Sequence, residues 1–146
     1  MFGKMFSSDA VAKDFGLLLI RLGIGASVFI FHGYGKMTGG PERWEAIGGA
    51  MGNLGVHFVP VAWGFMAAFA EAVGSILLVL GPLFRTATLL LAFNMFVAVM
   101  RHINLPVGEP GAGWDGASHA LELMVVYLGL FFTGPGKFAA KLGKGD

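Results

Sequence analysis

Four long apolar stretches, each interrupted by one or two polar residues, constrain this chain more than any other feature of its sequence. Arg21 interrupts the first stretch, Glu71 the second, Asn94 the third, and His119 with Glu122 the fourth. Each stretch approaches the roughly 20 apolar residues that a helix needs to cross a bilayer. A polar side chain at that depth is costly, which makes these residues candidates for function. The predicted spans are residues 15–33, 59–80, 84–102 and 117–134.

The composition favours the membrane as well. Hydrophobic residues make up 55% of the 146, charged residues 13%, and the net charge of +1 gives no basic surface for nucleic acid. The absence of cysteine excludes disulfides and thiolate metal ligands. A soluble bundle is the alternative, but its helices would lack a polar outer face. We therefore predict an all-α fold, a single integral membrane four-helix bundle over residues 1–146.

Loops and basic residues predict the topology. The two longer loops follow the first and third spans, and the segment 41–51 in the first loop predicts a short interfacial helix anchored by Trp44. The positive-inside rule then places both termini in the cytoplasm. We expect the membrane to be the inner membrane of a bacterial or archaeal cell. The N-terminal segment is expected to be retained as an amphipathic lead-in. Basic residues on the cytoplasmic side are Lys4, Lys13, Arg85, Lys137, Lys141 and Lys144, against Lys36, Arg43 and Arg101 outside.

Helical spacing brings the polar residues of each span onto one face. Arg21, Gly25, Val28 and His32 share such a face on the first helix. Counting residues from the outer ends places Arg21 and Glu71 at nearly equal depth. We therefore expect the two to form an ion pair near the bilayer midplane, as a helix–helix lock or as a candidate catalytic pair in a polar cavity.

A second polar group is expected near the outer mouth of the bundle. His119 and Glu122 share a helical face, and with His32 or His102 they could hold a divalent metal, form hydrogen bonds, or bind the polar head of a quinone. Asn94 is expected to bond across a helix interface, and Lys36 to be an anchor at a helix end. The candidate binding residues are His32, Asn94, His102, His119 and Glu122.

The order of these motifs resembles the DoxX-like family of small four-helix membrane proteins. The resemblance rests on Arg21-Leu-Gly, on His32-Gly-x-Gly-Lys36, on Glu71-Ala-Val-Gly-Ser, and on Leu-Gly-Pro-Leu-Phe-Arg85. Three further motifs extend it along nearly the whole chain. They are His102, His119 with Glu122, and Gly-Pro-Gly-Lys137.

This resemblance implies a redox-associated role. Members of the family are similar to the membrane subunit of an archaeal thiosulfate:quinone oxidoreductase, and some are linked to oxidative-stress complexes. The leading hypothesis is thus a membrane subunit that binds a quinone or a similar small molecule in a polar interior, next to a redox partner subunit. The alternatives are a non-catalytic scaffold for a soluble oxidoreductase and a pathway for protons or small molecules. Self-association into a homo-oligomer is also compatible with the small residues on the helix faces.

Overall fold

The computed structural model describes residues 12–140, which form four long helices and one short one. The first helix, α1, runs from Lys13 to Met37. The others are α2 (Gly40–Gly48), α3 (Pro60–Leu80), α4 (Phe84–Asn104) and α5 (Gly113–Thr133), with a 3₁₀ turn at Gly49–Leu54 after α2. All four long helices are long and apolar enough to cross a membrane. The prediction of an all-α four-helix membrane bundle is confirmed.

The two ends of the bundle differ. At one end, here called the hairpin end, α3 turns into α4 at Gly81 and Pro82, and the chain after α5 returns to the same place, where the Ala140 amide donates to the Leu80 carbonyl. At the other, the loop end, lie residues 38–59 and 105–112. Helix α3 is central and packs against α1, α2 and α4, whereas α5 packs against α4.

Helix α1 contains a single wider turn, a π turn at Phe29–Gly33. Before this turn the buried residues follow the spacing of an ordinary helix, through Arg21, Gly25 and Val28. The next buried residue is Gly33 and not His32, because the π turn holds one residue more. A Cβ atom on Gly33 would lie 2.7 Å from the Glu71 carbonyl oxygen, so glycine is what allows α1 to cross α3 at this point.

Helix α2 is the short helix predicted in the first loop. It was expected to lie at the membrane surface, and in the structure it also packs against α3. It packs along the first half of α3 through backbone contacts that only glycine permits. A Cβ on Gly64 would lie 1.6 Å from the Trp44 carbonyl oxygen, and one on Gly48 would lie 1.8 Å from that of Pro60. Helix α2 is therefore held against α3 and forms a wall of the bundle's loop end.

The outward surface of the four long helices is apolar. Large side chains such as Phe31 and Phe132 are 76% and 78% exposed. Such an apolar surface suits contact with lipid. The backbone polar groups are hydrogen-bonded within the helices, as the bilayer interior also requires. The predicted lead-in before the first span falls largely outside the described residues, as do Lys4, Lys141 and Lys144 of the orientation argument.

Candidate functional site

Glu71 is the centre of a buried polar cluster halfway along α3. Its side chain is 2% exposed, and both of its partners bind the same oxygen atom. Lys36 Nζ lies 2.7 Å from Glu71 Oε1, and Asn94 Nδ2 donates to Oε1 over 2.7 Å. The other oxygen, Oε2, is buried and has no hydrogen-bond partner within residues 12–140. Glu71 therefore keeps one free acceptor directed into the protein interior.

The expected pair between Arg21 and Glu71 is wrong. Arg21 is buried, 1% exposed, but its guanidinium donates to the carbonyl oxygens of Leu78, Val79 and Pro135. Leu78 lies seven residues beyond Glu71, about 10 Å along α3. The depth comparison failed because α1 does not end at His32. It continues to Met37, which moves Arg21 toward the hairpin end and brings Lys36 to Glu71.

Arg21 acts instead as a cap for the end of α3. The last four carbonyl groups of a helix have no partner within it, and inside a membrane they need one. The Gly81 and Ala140 amides bind the carbonyls of Leu77 and Leu80, and Arg21 binds the two between them. The positive charge also suits the negative end of the helix dipole. Arg21 lines neither of the cavities described below.

A cavity of about 450 Å³ lies between α2, α3 and α4 on one side of Glu71. We call it the large cavity. Its walls are mainly apolar, with Trp63, Met66 and Ala67 from α3 and Leu90 and Phe93 from α4. Trp63 also presents a buried indole N–H that has no partner within the described chain. The polar residues lining the large cavity are Glu71, Asn94, Lys36, Arg43 and Arg101.

A smaller cavity of about 160 Å³ lies on the other side of Glu71, between α1, α4 and α5. Three of the chain's four histidines line it, so we call it the histidine chamber. The rings of His32 and His119 lie 6.1 Å apart across it. His102 Nδ1 donates to the Gly111 carbonyl oxygen over 2.7 Å, which leaves its Nε2 available. The two cavities share Lys36, Glu71 and Ala98.

The structure divides the predicted binding residues into three groups. Asn94 contacts Glu71 and lines the large cavity, while His32, His102 and His119 line the histidine chamber. Glu122 is exposed on α5 and lines neither cavity. Within residues 12–140, no group of three or more His, Cys, Asp or Glu side chains is placed to hold a metal ion, His119 and Glu122 included.

Lys36 is the site residue that sequence reasoning missed. It was expected to be an anchor at a helix end, yet it pairs with Glu71 and is only 25% exposed. The sequence did contain a signal for this pairing, because Glu71 had two possible cationic partners, Arg21 and Lys36, both on α1. The Trp44 indole N–H donates to the Lys36 carbonyl oxygen over 2.8 Å and so ties α2 to the end of α1.

Comparison with known proteins agrees with the resemblance seen in the motifs. The model of the DoxX family matches residues 16–103, which include Arg21, Lys36, Glu71 and Asn94 and most of the large cavity. Neither the comparison with curated proteins nor that with solved structures found a match. The matched segment covers more than half of the chain and contains the buried charged residues of the site. The chain therefore belongs to the DoxX family.

Proposed function

We propose that this protein binds a lipid-soluble molecule with a polar head, of the quinone class, in the large cavity, as the membrane subunit of a redox complex. The observation that carries the proposal is the form of the cavity. Apolar walls end on a buried carboxylate that has one free oxygen, beside an amide and an ammonium group. Pockets for small molecules typically combine such walls with a few oriented polar groups.

The polar groups suit the two carbonyl oxygens of a quinone. Lys36 and Asn94 have donors directed into the cluster, and the Trp63 indole N–H is a further donor on the cavity wall. A protonated Glu71 could donate to a carbonyl oxygen, and an ionised one could accept from a quinol hydroxyl. The chain has no cysteine for thiol chemistry. Electrons would therefore come from a partner subunit.

A fluorescence titration with a short-chain ubiquinone analogue tests the proposal. We expect saturable quenching in detergent-solubilised protein, because a quinone in the large cavity would lie beside Trp63. Ala67→Leu adds three heavy atoms inside the cavity and should weaken binding at least about fivefold, since overpacking typically costs about 1–3 kcal/mol.

The matched control is Ala26→Leu, which makes the same change on an exposed position of α1 that lines neither cavity. It should bind as the unchanged protein does. Quenching that never saturates, or that Trp63→Phe leaves intact, would count against binding in this cavity. A partner oxidoreductase that co-purifies while no quinone binds would instead favour the scaffold role.

We further propose that the hairpin end faces the cytoplasm of a cell whose inner membrane holds the protein. Lys13, Arg85 and Lys137 lie at this end, as the positive-inside rule requires. Because the chain has no cysteine, single cysteines report sidedness directly. We expect Val107→Cys, at the loop end, to react with an impermeant maleimide in intact cells, and Phe138→Cys to react only after lysis. The reverse pattern would invert the orientation.

A further inference from the structure

Glu71 lies between two cavities of different character. The large cavity is mainly apolar, whereas the histidine chamber contains three imidazoles, groups whose two ring nitrogens can donate and accept a proton. Within the described part of the chain, only Lys36, Glu71 and Ala98 line both. One carboxylate oxygen already accepts two hydrogen bonds, and the other, Oε2, accepts none within residues 12–140.

We infer that the histidine chamber is the proton route to Glu71, so that a ligand can fill the large cavity while protons reach its polar end from the opposite side. This inference rests on the proposed function, because the proton serves a ligand bound in the large cavity. It assigns roles in proton transfer to His32, His102 and His119.

The chamber has the features that such a route needs. His102 lies close to the end of α4 at the loop end, where it can exchange protons with the solvent, and the rings of His32 and His119 lie 6.1 Å apart within the chamber. Because a carbonyl oxygen only accepts, the Nδ1–H of His102 donates to Gly111, which leaves Nε2 as the acceptor nitrogen of the neutral imidazole. The chamber volume of about 160 Å³ is sufficient for several water molecules to link an imidazole to the carboxylate.

The transfer itself is a simple exchange. An N–H bond of an imidazolium breaks and an O–H bond forms on Glu71, by way of water, while the imidazole regains a proton from solvent. No electron moves in this step. Protonated Glu71 then donates a hydrogen bond to a carbonyl oxygen of the ligand.

Other charged and polar groups surround Glu71, but they do not provide the same route. Lys36 and Asn94 hold one oxygen, and Tyr127 on α5 is fully buried with an unpartnered hydroxyl. Arg43 and Arg101 line the large cavity and lie on its side of the carboxylate. Among the described residues around Glu71, the three imidazoles are the groups that line the chamber and carry both a donor and an acceptor nitrogen.

Time-resolved infrared spectroscopy after a drop in pH tests the inference without any quinone. The protonated Glu71 gives a carboxylic C=O band, identified as the one that Glu71→Gln removes. We expect the double variant His32→Gln/His119→Gln to slow the appearance of this band at least about a hundredfold, the lower end of the range for losing an acid–base group. Ala120→Leu, which narrows the chamber, should slow it as well.

The matched control is Ala26→Leu, which makes the same change at an exposed position that lines neither cavity and should leave the rate unaltered. Slowing by Ala26→Leu with no effect of the histidine variant would overturn the inference, as would a wild-type protein that shows no Glu71 band at any pH at which it stays folded. If Ala120→Leu does not fold, the histidine variant still decides, because both side chains are exposed. Lost quinone binding with chamber-dependent protonation retained would refute the proposed function alone.

Discussion

Replacing Arg21 with methionine should lower the free energy of unfolding by about 3–5 kcal/mol. The substitution keeps a long unbranched side chain but removes the donors to the carbonyl oxygens of Leu78, Val79 and Pro135. Each buried acceptor left without a partner costs about 1–3 kcal/mol, and no other side chain of the described residues donates to these carbonyls. Unfolding in mixed micelles with increasing SDS measures the loss.

The position should tolerate lysine only in part. A lysine keeps the charge at the end of α3, but its compact ammonium lacks the planar fork with which Arg21 meets three carbonyls. Arg85→Met is the control, because Arg85 is exposed at the start of α4 and should change stability by less than about 0.5 kcal/mol. Equal losses in Arg21→Met and Arg85→Met would mean that Arg21 does not cap the helix.

The second large effect is expected for Lys36→Met. This change leaves Glu71 buried with only Asn94 as a partner, and removal of one member of a buried pair typically costs about 3–5 kcal/mol. Adding Glu71→Gln should recover most of the loss, because the unpaired charge is then gone. A double-mutant cycle in the same micelle assay isolates the interaction.

A surface pair in the same protein provides the control. Lys137 lies 3.7 Å from Asp14 and is 87% exposed, so Lys137→Met should cost less than about 1 kcal/mol. If the losses of unfolding free energy caused by Lys36→Met and Glu71→Gln simply add up, the two groups do not stabilise each other. Their contact would then contribute no coupling energy to the fold.

The fold class was predictable because lipid imposes a simple rule on the chain. Residues 84–102 and 59–80 could only be helices, since a helix satisfies its own backbone polar groups and an open strand does not. The Gly81-Pro82 turn was equally clear from residue type. Membership of the DoxX family also followed from the order of short motifs and was confirmed by the match over residues 16–103.

The site was less predictable because pairing depends on where helices cross. Sequence indicated that Arg21 and Glu71 would avoid lipid, and both are buried. It did not indicate that Arg21 would cap the C-terminal end of α3. This capping depends on where the chain after α5 places Pro135 and Ala140. The large cavity was unpredictable for a similar reason, because it depends on how α2 packs on α3 through Gly64.

The wider turn in α1 has a consequence for the charge balance of the protein interior. An ordinary helix advances about 100° per residue, so the one additional residue at Phe29–Gly33 sets the direction of every side chain that follows it. Lys36 faces Glu71 because of that rotation. Charge neutralisation at the centre of this bundle therefore depends on the rotation of α1 about its own axis. A chain with the same residues but without the π turn would direct the Lys36 side chain elsewhere and leave the Glu71 carboxylate without its cation.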